Sequence, residues 1–166
     1  ILLSLVGSEM CIRDSLKPKK EVWNAGPNFN VDSAYIFIEK QVLFGPRIPN
    51  TAKHAACGDW LVKKLNSYEL KTSEQIGEVT AFNMSKLPLR NISGIYNPNA
   101  NKKVLLCAHW DTRPFADRDS VNKNKPILGA NDGASGVGVL LEIARVISKD
   151  SLDTVSYTHL RAHETQ

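Results

Sequence analysis

The chain has 166 residues, of which 42% are hydrophobic and 23% charged, a composition typical of a globular domain and not of a coiled coil or a disordered tail. The net charge is only +4 and the short lysine clusters lack interleaved aromatic residues, which favours a solvated surface over a nucleic-acid groove. No apolar run approaches the roughly 20 residues that a bilayer requires, so no membrane span is predicted.

The two ends of the chain are related through their possible codons. Read backward, residues 154–166 can be encoded by reverse complements of codons for residues 3–15, and the match stops at Asp153 and Leu16. An uninterrupted match of this length predicts one DNA element at both ends in opposite orientations. Both segments also resemble translations of a transposase adapter used to prepare sequencing libraries. We therefore predict that residues 1–15 and 154–166 are adapter sequence, and we exclude them from fold reasoning.

This exclusion removes a metal-like spacing near the carboxyl end. His159, His163 and Glu164 would suggest metal binding, but they lie in the excluded segment and are not assigned to a site. The remaining residues 16–153 are expected to be a fragment of a longer protein. Residues 16–30 contain Lys, Pro, Gly and Asn with little periodicity, and are predicted to be a leader or linker.

The first predicted helix follows a cap at Asp32 or Ser33 and runs to about Phe44. Its apolar residues recur at helical spacing and are expected to form one stripe. These residues are Tyr35, Ile36, Ile38, Val42 and Leu43. The sequence GPRIP at residues 45–49 ends the helix, because glycine and proline interrupt helical structure.

A second helix is predicted from a cap at Asn50 or Thr51 to about Asn66. His54 falls on its polar side and is interpreted as a surface residue. Cys57 is interpreted as a small packed residue rather than a metal ligand, because no Cys or His partner shares its face. The predicted apolar face comprises Ala56, Trp60, Leu61 and Leu65.

Three strands are predicted next. Residues 75–82 and 89–96 alternate or carry β-branched side chains, which favours strands. A turn at residues 97–101 follows. Residues 104–108, with the sequence VLLCA, form a continuous apolar run that is typical of a strand buried on both faces, within a sheet covered by helices.

A long polar loop and a last helix complete the interpretable sequence. Residues 109–131 form a loop of a length that is usually functional or disordered. Residues 133–148 then predict a helix with a broad apolar face. That face comprises Val137, Leu140, Leu141, Ile143, Ala144 and Ile147.

Candidate metal ligands flank the loop. His109 and Asp111 come just after the third strand, and ligand sites in α/β sheets gather outside the carboxyl ends of strands. Two residues apart on extended backbone, they point to the same side and could both bind zinc directly, or act as ligand and orienting acid. Asp132 lies before the last helix, where it is either an N-cap or a metal carboxylate held by a glycine-rich turn.

The segments VLLCAHWDTRPFADRD and PILGANDGASGVGVLLEIARVI together resemble the zinc-dependent aminopeptidase and glutaminyl cyclase superfamily, and most of all its bacterial glutaminyl-peptide cyclotransferase branch. FGPRIPNT and ACGDWLVKKL also fit that branch. The resemblance implies a three-layer α/β/α sandwich with a mixed, largely parallel sheet. Residues 31–153 would be the amino-terminal portion of this zinc exopeptidase-like domain, whose carboxyl-terminal part is missing.

The resemblance assigns roles to three residues. Asp132 matches the carboxylate that binds zinc throughout the superfamily and bridges both ions in two-metal members. His109 matches a ligand of the second zinc in the aminopeptidases, and can persist without metal in single-zinc cyclases. Asp111 matches an acid that lies behind the site. Other residues of the loop pattern receive no chemistry and are interpreted as loop structure or pocket wall. They are Trp110, Arg113, Phe115, Asp117 and Asp119.

The resemblance also implies an activity. The parent protein would convert the N-terminal Gln of peptides or proteins to pyroglutamate and release ammonia, with one zinc ion. The alternatives are an aminopeptidase with two zinc ions and a non-catalytic, peptidase-like binding module. No catalytic residue is assigned here, since the general-base Glu is expected beyond residue 153. Relatives of this branch are commonly exported, to the periplasm or as lipoproteins.

For the chain itself the expectations are narrower. Asp132 and His109 fall short of the three protein ligands of a usual catalytic zinc, so neither tight zinc binding nor turnover is expected. The apolar face of the last helix is expected to lack covering strands, which predicts poor solubility or partial order.

Overall fold

Helices and a mixed sheet combine in an α/β fold, as the sequence predicts. The structure, a computed structural model, describes residues 27–81 and 83–149, together with the backbone of Val155–Arg161. The helices found there are α1 (Val31–Leu43), α2 (Ala52–Asn66) and α3 (Ser135–Ile147). The strands found there are β1 (Lys71–Thr80), β2 (Lys86–Tyr96), β3 (Lys103–His109) and β4 (Val155–Arg161).

The four described strands lie in the order β1-β2-β4-β3. β1 and β2 pair antiparallel, β4 is antiparallel to β2, and β4 is parallel to β3. The sheet is therefore mixed, as predicted, but among the described strands it is not largely parallel. A short connection can join only antiparallel neighbours, as between β1 and β2, whereas the parallel pair β3–β4 needs the crossover through α3.

β4 falls within residues 154–166, which the codon argument assigns to adapter sequence. Its backbone is in register with both neighbours, with Tyr157 opposite Ile95 of β2 and Leu105 of β3. Ladder hydrogen bonds involve only main-chain groups, so they are open to any β-competent sequence. The adapter assignment stays a prediction, and residues 1–15 with most of the predicted linker lie outside the described residues.

The amino end of α1 differs from the sequence prediction. Asn30, rather than Asp32 or Ser33, is the N-cap, and its Oδ1 accepts a hydrogen bond from the Ser33 amide at 2.9 Å. An Asn side chain in this position satisfies one of the amides that the first turn leaves unpaired. The cap fixes the point at which the chain enters the helical layer.

The buried face of α1 is also not the predicted stripe. Ala34 and Phe37 are buried, whereas Tyr35 and Ile36 are 62% and 59% exposed. The choice of face follows from packing against α3, where a Cβ on Gly138 would lie 2.9 Å from the Ala34 carbonyl oxygen. The absence of a side chain at Gly138 therefore permits the close approach of α3 to the face of α1 that becomes buried.

α2 agrees closely with its prediction. Thr51 is the N-cap, and Leu61 and Leu65 are fully buried. Cys57 is fully buried as well, which confirms its interpretation as a packed residue, and burial raises the pKa of its thiol to about 12. Ala56, predicted on the apolar face, is exposed.

The surface interpretation of His54 is wrong. Its side chain is only 4% exposed, and its ring stacks on that of Trp110 with centroids 4.1 Å apart. Burial lowers the pKa of His54 to about 4, so the imidazole is neutral at pH 7. The stack joins α2 to the residue that follows β3, a contact that helical periodicity could not reveal.

β3 is not buried on both faces in the described part of the chain. Val104 is 47% and Leu105 64% exposed, although the two side chains point to opposite faces. β3 lies at the edge of the described sheet and has a hydrogen-bonded neighbour on one side only. Its sequence has the character of a central strand, but its position here is that of an edge.

α3 carries the broad apolar face that the sequence predicts. Val137, Leu141 and Ala144 are fully buried. The expectation that this face would stay uncovered is wrong, because α1 packs on α3 and β3 contacts it. No helix of the described residues has the length and apolar character needed to cross a bilayer.

A buried carboxylate locks α1 to α3. Glu142 of α3 is 0% exposed, accepts hydrogen bonds from both Arg145 Nε and Nη2, and accepts a third from the Asn30 amide at 2.8 Å. The Arg145 bonds, followed by the Asn30 amide, hold the pKa of Glu142 below its usual value despite its burial. Each partner favours the ionised form.

We expect Glu142→Gln to lower the free energy of unfolding by about 1–3 kcal/mol, because hydrogen bonds to a charged group are lost. A depressed pKa stabilises the fold above the unfolded pKa of about 4.3, and this contribution is lost as pH falls through the folded pKa. Urea unfolding from pH 7 to pH 3 should therefore show a steeper acid loss in the wild type than in Glu142→Gln. Glu78→Gln, which alters an exposed ion pair with Lys86, is the control and should behave like the wild type.

Candidate metal centre

The three residues that the sequence selects for a metal site converge in the structure. His109 ends β3, Asp111 follows it, and Asp132 lies in the short turn Ala130–Ala134 that precedes α3. His109 Nδ1 is 3.4 Å from Asp111 Oδ1, and His109 Nε2 is 3.1 Å from Asp132 Oδ1. The imidazole therefore bridges two carboxylates that are 21 positions apart in the sequence.

The local backbone decides between the two interpretations of Asp132. Its φ and ψ of −86° and 88° are not helical, and the N-cap position of α3 belongs to Ala134. Asp132 therefore does not cap α3. Its side chain is 49% exposed and directed toward His109, which suits a carboxylate that binds a cation.

The two carboxylates differ in environment. The Asp111 side chain is 6% exposed, whereas the Asp132 side chain is 49% exposed. Hydrogen bonding to Asp111 raises the pKa of His109 above its usual value, against the effect of partial burial, and the charge of Asp132 adds to the rise. A carboxylate behind one ring nitrogen orients the imidazole and makes the other nitrogen a better ligand.

The donor set fits zinc. Two ligands that bind one tetrahedral zinc at about 2.0–2.1 Å lie about 3.3 Å apart, close to the 3.1 Å between His109 Nε2 and Asp132 Oδ1. Imidazole and carboxylate are both common zinc ligands. Within the described ranges no group of three or more His, Cys, Asp or Glu side chains could hold a metal, so the chain offers at most a pair of direct ligands there.

Arg113 is closer to the site than its sequence interpretation implied. Its Nη2 lies 3.4 Å from Asp132 Oδ2, and its Nη1 lies 2.5 Å from Asp117 Oδ1. Asp119 instead accepts backbone hydrogen bonds from Val121 and Asn122, both at 2.8 Å. Loop structure is thus the role of Asp119, whereas Arg113 contacts a candidate ligand.

The aromatic residues of the loop pattern take different positions. Trp110 is fully buried and donates its indole N–H to the Arg90 carbonyl at 3.3 Å. Phe115 is 58% exposed. Trp110 therefore belongs to the hydrophobic core, whereas Phe115 lies at the protein surface.

Sequence reasoning missed Arg47. Its guanidinium is fully buried and donates to the carbonyl oxygens of Trp110 at 2.8 Å and of Leu128 and Gly129 at 2.9 Å. These carbonyls lie at the two ends of the loop that separates His109 from Asp132. The sequence offered two signals, an arginine between the breaker residues of GPRIP and the fit of FGPRIPNT to the family, and neither assigned a role to Arg47.

A cavity of about 590 Å³ lies between the amino end of α2 and the β1–β2 pair. It is lined by His54, Arg90 and Ile76 among others, but not by the three candidate site residues. The cavity is therefore separate from the metal centre.

Sequence and structure comparisons agree on the kind of protein to which the chain is similar. Residues 91–160 match peptidase family M28. A curated relative, the glutaminyl-peptide cyclotransferase of Drosophila melanogaster, is 27% identical over 109 residues, which are 63% of this chain and 27% of the relative. The resemblance drawn from the sequence is therefore confirmed.

Two solved structures superimpose with a TM-score of 0.79. They are the Bacteroides thetaiotaomicron glutaminyl cyclase bound to N-acetylhistamine and a Zn-dependent exopeptidase from Parabacteroides distasonis. Each is 46% identical and matches 82% of this chain and 47% of its own. The chain thus spans about half the length of these proteins. The likeness to a Zn-dependent protein supports zinc, without fixing how many ions bind.

Gly133 generates a prediction about the site. Its φ is +107°, and a Cβ there would lie 3.1 Å from both His109 Cε1 and the Asp111 carbonyl oxygen. We expect Gly133→Ala to lower the free energy of unfolding by about 1–3 kcal/mol, because a strained backbone conformation of this kind carries such a cost. It should also shift the NMR signals of the His109 ring.

The matched control is Gly77→Ala in β1. Its φ is not positive, and the nearest side-chain atom would be 3.6 Å from the new Cβ. Equal losses in the two variants, with an unmoved His109 ring, would show that Gly133 has no special relation to the site.

Proposed function

We propose that the chain is the amino-terminal part of a zinc-dependent glutaminyl-peptide cyclotransferase, which converts the N-terminal Gln of peptides or proteins to pyroglutamate and releases ammonia. The approach of His109 to Asp132 outside the carboxyl end of β3 supports a metal site, which either activity would need. The observation that carries the choice of a cyclotransferase is the 46% identity to a bacterial glutaminyl cyclase.

The residues present fit the following roles. Asp132 would hold the zinc, and His109, whose Nε2 lies 3.1 Å from Asp132 Oδ1, would either bind the same ion or orient the carboxylate. Asp111 fixes the imidazole from its other side. Arg113 neutralises the outer oxygen of Asp132 and is itself held by Asp117.

The reaction is an intramolecular acyl transfer. The α-amine of the substrate attacks the side-chain amide carbon, a new C–N bond closes the five-membered ring, and the original C–N bond breaks with loss of ammonia. Bound zinc would polarise that carbonyl and stabilise the developing oxyanion. A glutamate expected beyond residue 153 would carry the proton from the amine to the leaving ammonia.

The finer architecture is also a proposal. We infer a three-layer α/β/α sandwich in the parent protein, in which further segments cover β3. The 64% exposure of Leu105 on a strand with the apolar pattern of a central one supports this inference. Export to the periplasm, or as a lipoprotein, is proposed from the family resemblance alone.

An aminopeptidase with two zinc ions is the second candidate. The contact between His109 and Asp132 favours it, because the resemblance makes them the ligand of the second zinc and the bridging carboxylate. Metal content and product separate the two activities.

The test extends residues 16–149 with the carboxyl-terminal half of the Bacteroides thetaiotaomicron glutaminyl cyclase. We expect the 166-residue chain alone to be inactive, because two candidate ligands are too few for a catalytic zinc. The extended protein should bind one zinc ion and release ammonia and pyroglutamyl peptide from a glutaminyl peptide. Two zinc ions and a released amino acid would instead establish the aminopeptidase, and a folded protein without metal or turnover would indicate a binding module.

In that extended protein, Asp132→Asn should lower zinc affinity by more than about 100-fold, since even residues that only orient a ligand contribute 10- to 100-fold. Turnover should fall with zinc content. Asp32→Asn, at an exposed position in the first turn of α1, is the control and should leave both unchanged. Zinc content and turnover that survive in Asp132→Asn would contradict the assignment of this carboxylate.

A further inference from the structure

We propose that Arg47 is a positioning residue of the metal centre, because its single guanidinium fixes the end of β3 relative to the turn that carries Asp132. The inference rests on the proposed function only in taking the site to be one that binds metal. Arg47 itself touches neither His109 Nε2 nor the carboxylate of Asp132, and it acts through the backbone that carries them.

The contacts of Arg47 divide between the two halves of the site. Its Nε donates to the carbonyl oxygen of Trp110, the residue between His109 and Asp111, at 2.8 Å. Its Nη2 donates to the carbonyl oxygen of Gly129, directly before the turn that contains Asp132, at 2.9 Å. The planar guanidinium of Arg47 therefore fixes the distance between the two chain segments that carry the candidate ligands.

The main chain of Arg47 adds a further tie. Its carbonyl oxygen accepts the Thr112 amide at 3.1 Å, so Arg47 holds the beginning of the loop through both backbone and side chain. Nη1 reaches the Leu128 carbonyl at 2.9 Å and the Gln41 carbonyl at 3.3 Å. Arg47 therefore holds both ends of the loop, at Thr112 and at Leu128.

Close packing shows that this arrangement leaves little freedom. Gly129 has a φ of +62°, and a Cβ there would lie 2.4 Å from Thr112 Cγ2 and 3.0 Å from Arg47 Nη2. Any side chain at position 129 would push against both the guanidinium and the loop. The absence of a side chain at Gly129 is therefore needed for the Arg47 guanidinium to reach the Gly129 carbonyl oxygen.

Arginine is chemically required for this role. Its five N–H donors lie in one plane and reach acceptors in several directions, whereas the lysine ammonium presents its donors from one nitrogen atom. A buried guanidinium also needs most of its donors satisfied, because an unpaired buried charge is strongly unfavourable. Arg47→Lys keeps the charge and removes the geometry, which makes it the informative variant.

The experiment uses the 166-residue chain with ¹⁵N-labelled histidine and zinc ion alone as the probe. We expect zinc to shift the Nε2 signal of His109 in the wild type. Arg47→Lys should weaken this binding by about 10- to 100-fold, the usual effect of a residue that orients a metal ligand. Hydrogen exchange of the Thr112 amide should accelerate in the same variant. Arg145→Lys, which alters another arginine network outside the site, is the control for general loss of stability.

Equal zinc affinity and equal Thr112 exchange in the two lysine variants would overturn the proposal. If Arg47→Lys does not fold, Arg47→Gln, whose planar amide offers two donors in place of the five of the guanidinium, replaces it and should give the same two effects. A wild-type chain that shows no zinc shift would count against the metal site of the proposed function. The positioning role of Arg47 would then be decided by Thr112 exchange, which needs no metal.

Discussion

The relative positions of α1, β3 and the long loop depend on one buried side-chain cation, the guanidinium of Arg47, which donates its hydrogen bonds to backbone carbonyl oxygens. The guanidinium of Arg47 is fully buried, and carbonyl oxygens from α1, from the residue after β3 and from the end of the long loop take the place of water around it. Placing a charge in the core is expensive unless its hydrogen-bonding capacity is used. The need to satisfy these donors therefore brings three segments that are distant in the sequence into contact with the Arg47 side chain.

Other buried polar groups extend this network through the helical layer. Gln41 of α1 donates its amide to the Ala134 carbonyl at 3.1 Å, which ties α1 to the start of α3. Glu142 of α3 reaches back to the Asn30 amide at the start of α1. The apolar contacts between α1 and α3 provide nondirectional attraction, whereas these hydrogen bonds select one relative placement. That placement puts the turn with Asp132 beside His109.

The site shows how two carboxylates near one imidazole acquire different roles. Asp111 is buried and faces Nδ1, where it orients the ring and favours its protonated form. Asp132 is half-exposed and faces Nε2, on the side of the ring opposite Asp111. Arg113 adds a positive charge on the outer oxygen of Asp132. The difference arises from burial and position, since the two side chains are chemically the same.

Much of the secondary structure could be predicted from local signals. Thr51 and the breaker residues of GPRIP define the limits of α2 and α1, because caps and breakers act over a few residues. The burial of Cys57 and the apolar face of α3 also followed from spacing. The buried face of α1 did not, because it depends on the packing of α1 against α3 around Gly138. The exposure of β3 could not be predicted from local signals either, because it depends on whether another strand pairs with β3 on its outer side.

The amino-acid sequence by itself selected His109 and Asp132 as candidate metal ligands and Asp111 as the acid behind them, and their motifs carry the family resemblance. Only the tertiary structure decided that His109 bridges the two carboxylates, that Asp132 is not a helix cap, and that Arg47 and His54 are buried. These outcomes depend on contacts between segments far apart in the chain. Hydrophobic periodicity and capping preferences report on neighbours within a few residues, and so contain no information about such contacts.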